Sequence, residues 1–144
     1  MHRNWLRDAG AVDGKQANFS KADLREVDLA SLDLRKVDFS EAMLFKAEFV
    51  NCDLTGANLT RAKLSEADLI NANLTNADLT KANLFKADLS LVALWNTNLS
   101  ETTLIGATFF GARLKGANLT GANLRVAHLE SAIYEPKENP EPFY

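Results

Sequence analysis

Residues 59–90 read LTRAKLSEADLINANLTNADLTKANLFKADLS, and in this stretch a leucine or its equivalent recurs every five residues. The same spacing extends from Phe19 to Leu129 and gives 23 consecutive positions, of which 19 are Leu and four are Phe. Two residues before each of them stands a small or mostly apolar residue, which is Ala at 16 of the positions. No insertion interrupts residues 17–131, so the sequence predicts a chain built from one five-residue unit.

A period of five residues fits neither an α-helix nor a straight strand. In a helix, successive leucines would lie about 140° apart around the axis. In a strand, the small residue and the leucine share one face, but the next small residue, three positions later, falls on the opposite face. Both sets face inward only if the chain bends once in every unit. Repeated bends of one hand predict a coil whose turns stack at the ~4.8 Å strand spacing, which is a solenoid.

The charged residues at the bends indicate how many units complete one coil. Residues one coil apart stack, and opposite charges stabilise such a contact whereas like charges destabilise it. An offset of 20 residues gives six opposite pairs and one like pair, whereas an offset of 15 gives two and three. In addition, positions 20, 40, 60, 80, 100 and 120 are all Ser or Thr. The sequence therefore predicts four sides per coil and about six coils.

The unit, as in Ala67-Asp68-Leu69 and Ala122-Asn123-Leu124, resembles the repeat of the pentapeptide-repeat proteins, in particular members abundant in cyanobacteria. The resemblance covers about 80% of the chain. It implies an all-β solenoid, a right-handed quadrilateral β-helix with the central Leu or Phe and the preceding small residue inside. It implies little about function, since most members lack an assigned biochemical activity.

The chain is predicted to form a single domain with covered ends. Residues 1–16 are expected to be an N-terminal cap, with a short helix over Asn4–Gly10, and residues 17–134 the β-helix. The tail at 135–144, EPKENPEPFY, is rich in proline and does not continue the coils. We expect it either to fold over the C-terminal end or to extend freely. Trp95 is expected to be a separate exposed contact or to be covered by this tail.

Composition excludes several classes of function. The 144 residues include 16 basic and 19 acidic ones, which does not support a basic surface for nucleic acid. One cysteine and two histidines do not support a disulfide framework or a metal site. No apolar run is long enough for a membrane span, and the first twenty residues do not read as a secretory signal. We therefore expect a cytoplasmic protein, unless the chain is a processed mature form. We also expect a monomer or an end-to-end dimer.

The pattern also argues against an enzyme. Catalysis requires unlike polar groups that converge in a concavity, whereas this coil has flat faces and a filled interior. The sequence contains no glycine-rich phosphate loop and no nucleophile–base pair. We expect no catalytic residues, no cofactor and no metal. Cys52 occupies an inward position and is expected to be a buried, inert thiol.

The four sides of the coil differ in charge. We name them the first to fourth faces, centred on Phe19, Leu24, Leu29 and Leu34, and their outward residues sum to charges of −1, +2, −5 and +2. The third face carries a row of acidic residues beside outward apolar ones, which a solvated surface does not need. We interpret the second and third faces together as a candidate partner-binding surface. Its acidic row is Asp28, Glu48, Asp68 and Asp88, and its apolar residues are Val50, Ile70 and Phe110 on the third face and Phe45, Phe85 and Ile105 on the second.

Two alternatives remain open from the sequence. The acidic row can be repeat consensus, bonded to the backbone at the bends, or part of a functional surface. For function, we favour a non-catalytic scaffold that binds a protein partner. The family resemblance also implies a DNA mimic that modulates a type II topoisomerase such as gyrase, which requires negative charge along an extended surface. The near-neutral chain and its two positive faces argue against that second function.

Overall fold

The computed structural model describes residues 17–134 of the chain, and the predicted N-terminal cap and C-terminal tail lie outside these described residues. Within residues 17–134 there is no helix and no strand longer than one paired residue. Instead, each five-residue unit up to that of Arg113 contributes one residue that pairs in parallel with the residue 20 positions later. The first pair is Asn18 with Asp38 and the last is Arg113 with Ile133. This offset confirms the predicted coil of four five-residue sides.

Backbone hydrogen bonds in each central unit both close the bend and join the coils. The Ala62 N–H donates to the Leu59 carbonyl at 3.0 Å, which closes the turn. The N–H groups of Leu59 and Arg61 donate to Asp78 and Thr80 of the next coil at 2.7 and 2.9 Å. The N–H of the Asp or Asn residue donates back to the preceding coil. Four of the five N–H groups are therefore used by the backbone itself, as a buried main chain requires.

The fifth N–H explains why Asp or Asn precedes the leucine. It belongs to the residue after the leucine, and it donates to the Asp or Asn side chain two positions earlier. Examples are the N–H of Ser40 to Asp38 Oδ1 at 2.9 Å and that of Thr60 to Asn58 Oδ1 at 3.1 Å. Short polar side chains make this bond readily because they reach the backbone two residues on. The consensus residue is thus a cap of the bend.

The second residue of every bend lies in the left-handed region of backbone space. All 23 such positions have φ between 49° and 73°, and 18 of them are not glycine. A type II turn requires this conformation at its third residue, and it costs an L-residue about 1–2 kcal/mol. Inter-coil hydrogen bonds from the same residues, such as that of Arg61, hold them there. The prediction that glycine helps at bends without being required is confirmed.

The interior is a filled column of the repeated Leu, Phe and Ala side chains. Leu69 and its equivalents in the central coils are fully buried. The inward polar positions are satisfied internally: Thr97 and Thr102 donate from Oγ1 to the carbonyls of Leu74 and Leu99, both at 2.7 Å. Cys52 is buried, as predicted, and its thiol lies 2.8 Å from the Leu29 carbonyl oxygen. The filled column closes the interior of residues 17–134 to other molecules, so a binding site along these coils lies on the outer faces.

Candidate protein-interaction surface

The acidic row of the third face is stacked in register. Asp28, Glu48, Asp68 and Asp88 pair successively from coil to coil, and the row continues through Thr108 and His128. Adjacent carboxylates therefore project from strand positions ~4.8 Å apart. Like charges directly opposite each other on neighbouring strands are unfavourable. The four residues form one continuous negative strip along the third face.

Three of the four carboxylates cap bends in the same way as the consensus residues elsewhere. Oδ1 of Asp28, Asp68 and Asp88 accepts the N–H of the residue two positions later, at 3.0, 3.0 and 2.9 Å. Repeat structure therefore accounts for an oxygen at these positions. It does not account for the charge, because the neutral Asn58 makes the same bond. Glu48 is exposed and longer than the consensus residue.

The apolar residues of the third face lie in the row on the other side of the central leucines. Val50 and Ile70 stand in adjacent coils, and both are half-buried. Ser90 occupies the next coil and separates them from Phe110, which is 56% exposed. The row is therefore interrupted, and Phe110 is its one prominent apolar side chain.

The apolar residues of the second face are partly covered by their neighbours. Phe45 and Phe85 are half-buried, and the ammonium groups of Lys46 and Lys86 each lie 5.2 Å from the adjacent ring centroid. Such a contact attracts the cation to the face of the ring. Ile105 stands one coil beyond Phe85 and is also half-buried, whereas Ser65 separates the two phenylalanines. The structure thus brings Phe85 and Ile105 together and leaves Phe45 apart.

The order of residues along a coil places the acidic row between the two apolar rows. From the second face, the chain passes Phe85, the bend residue Lys86, Asp88 and then Ser90 on the third face. The lysines alternate with Glu66 along the bend, and Lys46 Nζ lies 3.8 Å from Glu66 Oε2. The arrangement offers a negative strip flanked by ring faces and aliphatic side chains, which suits a partner with both basic and apolar groups.

The structure contains a second group of exposed apolar residues, of which only Trp95 was identified from the sequence. Leu91 is 52% exposed and Trp95 is 39% exposed, and between them a depression of about 340 Å³ opens where the third face meets the fourth. The available signal was a departure from the repeat: Leu at a bend and Ala93 at a capping position. The depression itself forms only where residues of the two neighbouring coils flank these departures. The residues lining the depression are Asn71, Ala72, Asn73, Leu91, Ala93, Trp95, Gly111 and Arg113.

Sequence and structure comparisons agree with the repeat. The family model described as pentapeptide repeats matches the chain in 8 copies, over residues 15–41, 22–61, 52–90 and 87–125. No curated protein matches the chain. In residues 17–134 we find no helix with the length and apolar character needed to cross a membrane.

Solved structures of pentapeptide repeat proteins, which are right-handed quadrilateral β-helices, also resemble this one. A protein from the Arabidopsis thaliana thylakoid lumen is 41% identical, with a TM-score of 0.65, and the match covers 65% of this chain and 66% of that one. The chain thus spans just under two thirds of that relative. HetL of Nostoc sp. strain PCC 7120, involved in heterocyst differentiation regulation, is 31% identical over 81% and 76% of the two chains, with a TM-score of 0.47. QnrB1, a plasmid-mediated fluoroquinolone resistance protein, is 25% identical over 77% and 67%, with a TM-score of 0.43.

Proposed function

Since the chain belongs to the pentapeptide repeat family, we propose that it is a non-catalytic scaffold that binds a protein partner on its second and third faces. The observation that carries the proposal is the register of the acidic row between the two apolar rows. A surface of this kind combines electrostatic steering with apolar contacts, which is how specific protein interfaces are built.

The partner proposed for this surface has basic side chains spaced to meet the acidic row. Phe85 and Phe110 are the apolar anchors, because Phe110 is exposed and Phe85 has Ile105 beside it in the next coil. Aromatic side chains contribute disproportionately to binding when a partner buries them. Val50 and Ile70 add apolar area beside Glu48 and Asp68.

The proposal includes the finer features of the fold and setting expected from the sequence. These are a length of about six coils, an N-terminal capping helix, a cytoplasmic location and a monomer or end-to-end dimer. The Arabidopsis relative comes from a thylakoid lumen, so location is to be tested by fractionating the native host.

The alternative of a DNA mimic receives less support from the geometry. The acidic row ends after four residues, because Thr108 and His128 occupy the next two coils. Duplex DNA carries a negative charge about every 1.7 Å along its axis, whereas the row carries one about every 4.8 Å. A gyrase supercoiling assay with the purified protein tests this function directly. Potent inhibition, or protection from a gyrase-directed drug, would replace the scaffold proposal.

The scaffold proposal is tested by affinity capture from the native host, followed by quantitative binding to each captured protein. We expect Phe85→Ser and Phe110→Ser to weaken binding of at least one partner while the fold is retained. Trp95→Ser is the matched control, because it removes an exposed aromatic side chain from the fourth face. If both phenylalanine variants bind every captured protein as well as the parent does, the second and third faces are not the binding surface.

A further inference from the structure

At the depression beside Trp95 the chain departs from its own repeat at a bend and at a capping position. Leu91 occupies a bend at φ 58° with an exposed side chain, although polar residues or glycine take most other bends. Ala93 replaces the capping Asp or Asn, so among residues 17–134 the Trp95 N–H has no side-chain cap. Each of these two departures lowers stability, and both residues line the hollow. Sequences give up local stability in this way where a surface has another role.

We propose that this hollow is the docking site of the chain's own C-terminal segment, residues 135–144. The segment begins on the correct face, because Tyr134 lies on the fourth face. Ile133 pairs with Arg113, which in turn pairs with Ala93. Two coil spacings, about 10 Å, therefore separate the start of the segment from the hollow. Ten extended residues reach about 33 Å, so the segment spans this distance with length to spare.

Charge and composition match the segment to the hollow. EPKENPEPFY contains three Glu and one Lys, for a net charge of −2. Arg113 and Lys115 make this end of the fourth face positive, and among residues 17–134 no carboxylate forms an ion pair with Arg113. Phe143 and Tyr144 supply rings of the type that pack against an exposed indole and a leucine. The three prolines favour an extended backbone, which suits a contact along a flat face.

Because the segment is covalently attached to the coils, a weak contact is sufficient to keep it docked. A segment attached to its own binding site experiences an effective concentration in the millimolar range for a short flexible linker. Docking buries Leu91 and Trp95. Exposed apolar side chains otherwise favour non-specific association with other proteins. The fourth face is then closed to other proteins while the segment is bound, so this interaction is distinct from the one proposed for the second and third faces.

Quenching of Trp95 fluorescence by acrylamide tests the docking. Trp5→Phe leaves Trp95 as the single indole, because the chain has two tryptophans. In this background we compare the full chain, the Phe143→Ser/Tyr144→Ser variant and a chain ending at Tyr134. We expect the quenching constant to rise about twofold in both altered proteins, since a ring stacked on one side of the indole shields that side. The peptide EPKENPEPFY, added to the shortened chain at millimolar concentration, should reverse the rise.

Two arginine variants serve as a matched pair. Arg113→Glu in the full chain should raise the quenching constant as the segment variants do. Arg125→Glu makes the same change of charge at an exposed arginine of the second face and should leave it unchanged. Equal quenching in the full chain and all variants would overturn the proposal. A higher quenching constant in the chain ending at Tyr134 alone would also overturn it. Truncation would then change the fold around Trp95, and the loss of the two aromatic rings would not be the cause.

Discussion

Asp78 accepts two hydrogen bonds from Thr80 through the same oxygen, Oδ1, at 2.9 Å from the backbone N–H and 2.6 Å from the hydroxyl. Asn58 and Thr60 make the same pair of bonds at 3.1 and 2.8 Å. The recurring (Asp/Asn)-Leu-(Ser/Thr) sequence is therefore a structural motif of the bend. In the units that carry it, the motif satisfies the one backbone donor that the coils leave unused, and it ties the side chains of the outer face to that backbone.

Replacing the cap at position 78 should separate the need for an oxygen from the need for a charge. Asp78→Ala removes the acceptor of both Thr80 bonds, and we expect a loss of about 1–2 kcal/mol in the free energy of unfolding. Asp78→Asn keeps an acceptor and should cost much less. Urea unfolding of the three proteins measures the difference. Equal losses in the two variants would show that the carboxylate charge, not the cap, stabilises this bend.

Position 93 offers the reverse experiment. Ala93 lacks the side-chain oxygen that caps bends such as that at Asp78, so Ala93→Asn gives the Trp95 N–H an acceptor. We expect the free energy of unfolding to rise by about 0.5–1 kcal/mol. Ala93→Val adds a side chain without an acceptor and is the control, with no gain expected. An equal gain from both substitutions would assign the effect to filling of the hollow.

The bend at position 126 carries a β-branched residue in a backbone conformation that such residues rarely adopt. Val126 has φ 49° and is 75% exposed, so it gains little from packing. Asn occupies four other bends, and we expect Val126→Asn to raise the free energy of unfolding by about 1 kcal/mol. Gly116→Ala is the opposite change, since Gly116 has φ 72°, which L-residues rarely adopt, and a Cβ there also meets Oδ1 of Asn96. Denaturant unfolding should therefore shift the two variants in opposite directions.

The fold was predictable because the same physical constraint repeats 23 times. A leucine every five residues and a small residue two positions earlier are compatible only with regular bends, and the charges at Lys46 and Glu66 already indicated the 20-residue offset. The structure confirms that offset through the pairing of residues such as Asp68 and Asp88. Every unit independently predicts the same arrangement, so a misinterpreted unit does not change the predicted fold.

The surface was less predictable, because exposure depends on neighbours in other coils and at the bends. The sequence places Phe45 and Phe110 in equivalent outward positions. The structure leaves Phe110 56% exposed and Phe45 half-buried beneath the Lys46 ammonium group. The hollow between Leu91 and Trp95 was not predicted, since it forms where residues from successive coils meet. The function of the acidic row also stays a prediction. Capping of the bends explains why oxygen atoms occur in the row, but it does not explain why they are charged.

The arginine–aspartate pairs near the first described coils should make stability depend on pH. Hydrogen bonds from the side chains of Arg25 and Arg35, both at 2.6 Å from Nη2, hold the pKa of Asp23 and Asp33 below the usual range. A lowered folded-state pKa contributes stability above the unfolded value of about 3.9, and that contribution disappears as the pH falls through the folded pKa. The pairs are exposed, so the effect should be small and weakened by salt.

The double variant Asp23→Asn/Asp33→Asn measures this contribution while keeping an oxygen for each bend. We expect the parent to be the more stable protein near neutral pH and the two urea midpoints to converge as the pH falls below the unfolded-state pKa of about 3.9. A gap that stays constant as the pH falls would mean that the carboxylates contribute through packing or capping, and not through their charge.

The central leucines should differ from those of the last coil in their contribution to stability. Leu69 is fully buried between complete coils, whereas Leu119 is only partly buried near the end of the described residues. We expect Leu69→Ala to cost about 2–5 kcal/mol and Leu69→Asp to abolish folding, because the charge would face a dry column. Leu119→Ala should cost less. Similar losses at the two positions in urea unfolding would indicate that the last coil is covered.

The acidic row can be tested for function without disturbing the bends it caps. Asp68→Asn/Asp88→Asn keeps the oxygens that accept the N–H groups of Ile70 and Ser90 and removes two charges from the third face. If the row steers a basic partner, the association rate should fall, and its dependence on salt should weaken, with little change in the free energy of unfolding. Asp38→Asn/Asp78→Asn removes two capping charges from the first face and is the matched control. An equal effect of both double variants on binding would mean that total charge matters and the position of the row does not.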